Sequence, residues 1–531
     1  MKRRDFLRTS APFTVLPFMM NGTPLTALGN PKIMNTLSRA FVNTDHVLVL
    51  IQMNGGNDGL NTVIPVDQYS NLSKARSNIM IPISKVLVLD GVDDTGLHPA
   101  MTHMRGMFDN GKLQIVQNVG YPNPNYSHFR STDIWNTASD SDEVLYSGWI
   151  GRYLSNEFPN FPDGFPNSDM PDPLALQVGS VVSTVCQGVS VNMGMAISNP
   201  TAYYALLTGN YTSSPSTHAG KELDYVRLVA EQSNAYGQAV KTAGEKGANK
   251  SSKYPTEGTN RLADQLKIVA QLISGGLKTR IYVVNINGFD THANQVDATG
   301  GTENGSHATL LGWLSEAIDA FQDDLEQLGL DDRVMGMTYS EFGRRIVSNF
   351  SLGTDHGAAA PMFLFGKNVK GGIKGSNPSI SSTVTVNDNL PMEFDFRSVY
   401  ATLLKDWFCL EDTEVNSVMT KTHQQLDLLE DTCNTSSAQR AELRKSGNAS
   451  VMNYPNPFVD QTTIRYESDG GHILIQIFNP QAQLIQTLVD DFIPEGEHEV
   501  IMDATNLAKG TYYYRYQRGS YSQTKPMIKV R

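Results

Sequence analysis

The chain has 531 residues, a formal net charge of −12, and 40% hydrophobic against 18% charged residues. With 44 glycines and 25 prolines it has the make-up of a turn-rich globular protein, which excludes collagen-like, coiled-coil and wholly disordered chains. The acidic balance leaves no electrostatic footprint for nucleic acid or for an anionic membrane.

The first elements are not fold. Arg3 and Arg4 sit in a basic start, Ala11 to Met20 form a short apolar core, and Thr23 to Gly29 are small or polar. That is the layout of an export signal, expected over residues 1–30. The core is too short for a permanent membrane span, and no later segment is long and apolar enough to make one.

From residue 40 to 430 one pattern recurs: a short apolar run, a turn rich in Gly, Pro, Asp or Asn, then a helical stretch. The runs are Val47–Met53, Leu113–Val116, Leu174–Val178, Arg280–Ile286, Arg333–Thr338 and Met362–Phe365. Near-continuous apolar strands predict burial on both faces, as in a parallel sheet covered by helices. Helices are predicted over Leu223–Ala243, Arg261–Ile273, His307–Leu330 and Arg397–Phe408. In His307–Leu330, Leu310, Leu311, Leu314, Ile318, Phe321, Leu325 and Leu328 recur at three- and four-residue spacing. The fold class expected is therefore α/β, a doubly wound, mostly parallel sheet. The polar stretch Gly244–Asn260 reads as an exposed loop. Cys186, Cys409 and Cys433 make neither a fully paired framework nor a CxxC zinc spacing, and read as structural or incidental.

In an open parallel sheet, ligands bind beyond the carboxyl ends of the strands. Asn54-Gly-Gly-Asn-Asp-Gly59 follows the first run, and Gly120 to Phe129, with Ser127 and His128, follows the second. Asn287-Gly-Phe-Asp-Thr-His292 follows the run at Ile281, and Tyr339-Ser-Glu-Phe-Gly343 the run at Val334. Gly353-Thr-Asp-His-Gly357 precedes the run at Met362. Carboxylates with imidazoles are a ligand set for zinc, manganese or similar divalent ions. Each piece has a plainer reading. Asp58 could cap a turn, Asp290 and His292 could stabilise one, and Glu341 could be a first-turn helix acid. His98, His103 and His307 are further imidazoles that could be ligands or ordinary structural histidines. A dinucleotide oxidoreductase is excluded: the first turn lacks the opening glycine of GxGxxG, and no acid-ended strand follows about twenty residues on.

Taken in order, these motifs resemble the alkaline phosphatase superfamily. They are more similar still to its uncharacterised, often twin-arginine-exported sulfatase-like family. The residues that carry the resemblance are Asn54 to Thr62, Leu97-His98-Pro99, Tyr121 to Trp135, Gly148 to Arg152, Gly288 to His292, Ser340 to Arg345, Thr354 to Gly357 and Asp395 to Tyr400. The resemblance implies a metal-binding Asp58, a nucleophile at Ser127 with His128 beside it, and Asp290 with His292 on one ion. It places Glu341 on a second ion and Asp355-His356 as a late metal-binding pair. Phe342 stands where a histidine is expected, so the second ion is absent or recruits His98 or His307; Ser131 is an alternative to Ser127. Arg130 or Arg344 would neutralise the substrate's charge. The cofactor implied is one or two divalent ions (zinc, manganese or calcium).

After Cys433 the composition changes. Residues 434–450 read as a polar linker, and 451–531 as a small all-β sandwich of short strands. Asn453-Tyr-Pro-Asn-Pro-Phe458, Ile475 to Pro480, Gly496, Leu507 to Tyr513 and Lys525 to Lys529 resemble the C-terminal sorting domain of the type IX (Por) secretion system of Bacteroidetes. The plainer alternative is a carbohydrate-binding or adhesion sandwich. The resemblance implies the type IX machinery as partner and a route through the periplasm to the cell surface or outside. Such cargo usually takes the general secretory route, whereas Arg3-Arg4 resembles a twin-arginine signal. The function expected is an exported, metal-dependent hydrolase of a phosphate or sulfate ester, on a small molecule or a glycan. The alternative is a non-catalytic envelope or surface protein that keeps the fold without turnover.

Overall fold

The structure is a computed structural model. It describes residues 44–433 and 451–530, apart from 159–160, 163, 168–169, 200–217, 469, 480–482 and 519–520. The expected export signal and linker lie outside the described residues. No helix among the described residues is long and apolar enough to cross a membrane.

The central sheet is built from β1 (Val47–Asn54), β2 (Leu113–Gly120), β3 (Ala175–Val178), β4 (Gly194–Ile197), β5 (Ile281–Asn287), β6 (Val334–Tyr339), β7 (Ala360–Phe365) and β8 (Gly372–Lys374). Their order is β8-β2-β7-β6-β1-β5-β3-β4, with Phe394–Asp395 added beside β2 as the ninth strand. Every pairing is parallel except those of β7, which runs antiparallel to β2 and β6. The doubly wound, mostly parallel sheet expected from the sequence is therefore present.

The unbroken apolar runs are explained by two cores, one on each face. Val49, Ile51 and Met53 of β1 pack with the helices Thr102–Asp109, His218–Lys246, Arg261–Ser274 and Ser306–Leu328. Leu48 and Leu50 point the other way, toward the helices His128–Thr137, Trp149–Glu157, Phe396–Thr402 and Asp412–Met419. Each such buried side chain contributes roughly 1.5–3 kcal/mol, so the strand ends are held rigidly.

Several details differ from the sequence reading. The helix expected over Arg397–Phe408 divides into Phe396–Thr402 and a wider π turn, Leu403–Trp407. A small three-stranded antiparallel sheet, formed by Val63–Pro65, Leu87–Leu89 and Val92–Leu97, was not foreseen. The loop after Lys246 is exposed but pinned. Buried Asp324 accepts hydrogen bonds from Asn249 Nδ2 (2.8 Å), Lys250 N (2.5 Å) and Ser251 N (3.0 Å). Cysteine pairing also needs correction. Cys409 and Cys433 form a disulfide across a sequence separation of 24, while Cys186 is buried and free. Three scattered cysteines carried no spacing signal for that bond, because it depends on the chain returning to the sheet.

The C-terminal region is all antiparallel. It comprises β9 (Val451–Tyr454), β10 (Gln461–Ser468), β11 (Gly471–Phe478), β12 (Leu484–Ile493), β13 (Gly496–Asp503), β14 (Gly510–Arg518) and β15 (Tyr521–Lys529). Two sheets, β9-β10-β13 and β12-β11-β14-β15, enclose Ile464, Ile473, Ile475, Ile477, Tyr514, Tyr516 and Met527. This is the small sandwich that strand alternation predicted.

Candidate functional site

β1, β5 and β6 are adjacent and parallel, so the loops leaving their carboxyl ends lie side by side. Asn54 Nδ2 donates to Asn287 Oδ1 (2.7 Å), and Phe289 N to Asn54 O (3.0 Å). Glycine is required where these loops meet. Gly55 has φ +122°, and a Cβ there would stand 2.2 Å from Asp290 N; Gly56 has φ +81°, and its Cβ would stand 2.3 Å from the Phe342 ring. The glycine-rich turn thus serves close backbone approach. The loop leaving β2 adds Tyr126, Ser127 and the helix His128–Thr137. The hairpin of Arg344–Ser348 with Thr354–His356 adds His356, which pairs opposite Arg344.

These loops bring three histidines around one carboxylate. His128 Nε2 lies 3.5 Å from Asp290 Oδ2, and His292 Nε2 and His356 Nε2 each lie 3.2 Å from Asp290 Oδ1. Ligand atoms of His128, Asp290 and His356 all fall within 4.8 Å of one another. Each ring is fixed from behind through Nδ1. His128 Nδ1 meets Glu341 Oε1 at 2.9 Å, His292 Nδ1 meets Asp355 Oδ1 at 3.1 Å, and His356 Nδ1 meets Tyr126 O at 2.8 Å. Carbonyl and carboxylate oxygens only accept, so these partners place the ring proton on Nδ1 and leave Nε2 as a lone pair. His292 Nε2 and His356 Nε2 are only 2.8 Å apart. Two lone pairs at that distance repel unless a cation or a proton lies between them.

Charge is arranged to match. Burial pushes the Asp290 carboxyl up, but the Arg344 guanidinium, which donates to it, outweighs burial and holds its pKa at about 2. Burial lowers His356 below the usual histidine range, against the Tyr126 carbonyl that accepts from its Nδ1. Asp355 is held low despite burial by its bond to His292. Asn349 Nδ2 donates to His292 O (2.8 Å) and to Asp355 Oδ1 (3.3 Å), tying the hairpin to the loop after β5.

Other residues expected at the site stand behind the cluster, beside it or apart from it. Asp58 is fully buried. It accepts from Arg76 Nη1 (2.9 and 2.8 Å to its two oxygens) and from Gln295 Nε2 (2.6 Å), and it lies outside the histidine cluster. Glu341 is also buried; besides His128 it accepts from Gly55 N (2.8 Å) and stands behind the cluster. Arg344 is buried and donates to Gly56 O (2.7 Å), Thr354 O (2.7 Å), Phe289 O (3.0 Å), Gly55 O and Asp290 Oδ1 (2.8 Å). Arg130 donates to the carbonyls of Asp140, Ser141 and Glu143. Arg130 is thus occupied by backbone, and Arg344 by backbone together with the Asp290 carboxylate. Ser127 is exposed at the start of its helix with no side-chain cap bond, whereas Ser131 is buried, bonded to Tyr121 and to Glu341 O. The Phe342 ring packs, tilted, against His128 and His356. His98 and His307 are buried edge to face with ring centroids 6.0 Å apart, and His103 pairs with Asp319 at the surface. Sequence reasoning missed Arg76, Gln295 and the Tyr126 carbonyl. The first two are isolated polar residues without a motif, and a carbonyl acceptor leaves no mark in sequence.

Residues 45–420 match the family described as Protein of unknown function (DUF1501). The chain belongs to this family. Residues 452–530 match a Secretion system C-terminal sorting domain of the Por type, which indicates export to the cell surface or outside by type IX secretion. No curated protein sequence matches. Among solved structures, the chain is similar to a protein of the alkaline phosphatase superfamily from Vibrio parahaemolyticus (8% identity, 88% of this chain and 85% of that one, TM-score 0.30). It is similar also to a sulfatase from Pseudoalteromonas sp. (10%, 87% and 85%, 0.30) and to a phosphonate monoester hydrolase from Silicibacter pomeroyi (10%, 92% and 88%, 0.29).

Proposed function

We propose that the chain is an exported hydrolase of phosphate or sulfate esters that works with a divalent ion. The ligands would be the Nε2 atoms of His128, His292 and His356 and the carboxylate of Asp290. The observation that carries the reading is the 2.8 Å approach of His292 Nε2 to His356 Nε2, with both Nδ1 atoms committed to acceptors. An imidazole whose other nitrogen is held by carboxylate or carbonyl is the usual arrangement of a metal-ligating histidine. Zinc and manganese suit this N/O donor set better than calcium, which prefers oxygen alone. A bound ion would supply Lewis-acid stabilisation of the charge that develops on the ester oxygens.

The rest of the reading concerns the chain's own groups. Glu341, Asp355 and the Tyr126 carbonyl act as orienting partners. Asp58 serves the scaffold, not the ion. Ser127, exposed beside His128 at a helix start, is the candidate nucleophile. With Arg130 and Arg344 occupied, Arg345 is the guanidinium available to an anionic substrate. It is partly exposed, reaches His356 O (3.3 Å) and Val386 O (2.9 Å), and stacks on Tyr126 at 5.9 Å. The twin-arginine start would bring the chain into the periplasm before the tail carries it outward.

A non-catalytic surface protein that keeps an ion for structure is the second reading, favoured by the engagement of Arg130 and Arg344 with backbone. Protein purified without chelators and assayed for metal by mass spectrometry, then for turnover of aryl phosphates and sulfates, separates the two. Metal near one ion per chain with turnover, both lost in Asp290→Ala, supports the hydrolase. Metal without turnover leaves the structural reading, and protein free of metal after supply of zinc and manganese overturns both.

A further inference from the structure

The strand edges of the C-terminal sandwich are treated unequally. A sheet edge offers unpaired N–H and C=O groups, and proteins normally blunt it with proline, lysine or shortness. β9 has only 4 residues. β15 carries Lys525 and Pro526, and its end is covered by pairing with Phe458. β12, the opposite edge of the same sheet, runs for 10 residues without proline, lysine or arginine, its only irregularities being two register shifts against β11. It exposes Leu484 (52%), Ile485 (40%) and Phe492 (74%), and the turn at Pro494 leads to β13 with Ile501 exposed beside it (62%). The charge is one-sided as well. Between Leu484 and Asp503 stand Asp490, Asp491, Glu495, Glu497, Glu499 and Asp503, with no lysine or arginine. His472 pairs with Asp490, and Arg465 with Glu499.

We propose that β12, with the acidic turn and β13 beside it, is the surface by which the secretion machinery reads the tail. The occupant is an extended basic segment of that machinery, added to β12 as a further strand. Main-chain hydrogen bonds supply the affinity, the exposed apolar side chains seat those of the incoming strand, and the carboxylates select lysine and arginine. A second copy of this edge is disfavoured by like charge, and so is an anionic membrane. The proposal is independent of the hydrolase reading and concerns the sorting tail alone.

The test is export of the full chain in a Bacteroidetes host with a working type IX system, read as the fraction at the surface or in the medium. Asp491→Lys with Phe492→Lys alters β12; Thr524→Lys alters the guarded edge β15 as a control. The β12 variant is expected to lose export by about tenfold or more, since opposed like charges at a contact cost several kcal/mol, while the β15 control stays near wild type. Purified full chain should melt as wild type in both cases; if the double β12 variant unfolds, Asp491→Lys alone, at an exposed position, is measured. Unchanged export of a folded β12 variant overturns the proposal, as does equal loss in the β15 control. Concentration-dependent self-association abolished by the β12 variant would assign the edge to a second copy and overturn it too.

Discussion

Asp58→Ala distinguishes a metal ligand from a scaffold residue. The Asp58 carboxylate accepts from Arg76 at 2.8 Å, and the two side chains are 1% and 0% exposed. Burial works against the charged carboxylate, but the Arg76 charge outweighs it and holds the group below its ordinary range. Removing the acid leaves a guanidinium buried without its counter-charge, which typically costs about 3–5 kcal/mol. For an α/β domain of roughly 390 residues, an unfolding entropy of about 2.1 cal/mol/K per residue makes 1 kcal/mol worth about 1.2 °C, so melting should fall by about 4–6 °C. Asp58→Leu with Arg76→Met removes both charges and should recover much of the loss. Metal content should stay at the wild-type value throughout. Thermal melting by circular dichroism and metal analysis on the same preparations give the readout. Loss of metal with melting unchanged to within about a degree would refute the reasoning and return Asp58 to the ion.

Glu341→Gln and Asp355→Asn keep their shapes but weaken the orientation of His128 and His292. Each should loosen metal binding by about 10–100-fold in a competition titration with little change in melting; unaltered affinity would rule out the orienting role. His98 and His307 give a pH signature. Burial holds His98 at about 3, helped by the neighbouring His307, and His307 at about 4, partly opposed by Asp58, from a usual 6.5. The unfolded chain protonates these rings near 6.5 while the folded chain leaves them neutral. Stability is thus full above that value and falls as pH drops toward 4 and 3, at up to about 1.4 kcal/mol per unit per histidine. Urea unfolding of His307→Leu should show a shallower acid slope than wild type, and equal slopes would contradict the assignment. Reducing Cys409–Cys433, or replacing both by serine, should cost about 3–4 kcal/mol for a loop of this length, and melting with and without reductant measures it.

The fold was legible because its signal is repeated. Each of Val47–Met53, Arg280–Ile286 and Arg333–Thr338 is mostly apolar, and each sends side chains into the cores on both faces of one sheet. The cluster was legible only in part. Asp290, His292 and His356 stand in motifs that neither helix nor strand requires, and they do come together. Asp58 and Arg344 stand in equally marked motifs; Asp58 meets Arg76 and Gln295, and Arg344 meets loop carbonyls and the Asp290 carboxylate. Sequence records that a polar residue is needed at a position, not whether its partner is a guanidinium, a carbonyl or an ion. Two other marked motifs make the same point. Buried Arg152 donates to the carbonyls of Thr137, Ser147 and Val418, and Arg397 pairs with Asp395 and Asp140. Of those contacts, the ones to Val418 and Asp140 lie 266 and 257 positions away, where no local pattern reaches.

The disulfide has a mechanical consequence. Cys433 is the last described residue before the segment that leads to the sorting tail, and its sulfur is joined to Cys409. Tension applied through the tail during transit reaches Cys433 and passes through the sulfur bridge to Cys409 at the end of the π turn. The intervening residues, including the helix Asp412–Met419 and Leu426, Leu428 and Leu429 in the core, lie within the loop the bridge closes and are bypassed by the load. Pulling on the tail therefore tugs on the body of the α/β domain and cannot peel away its final segment.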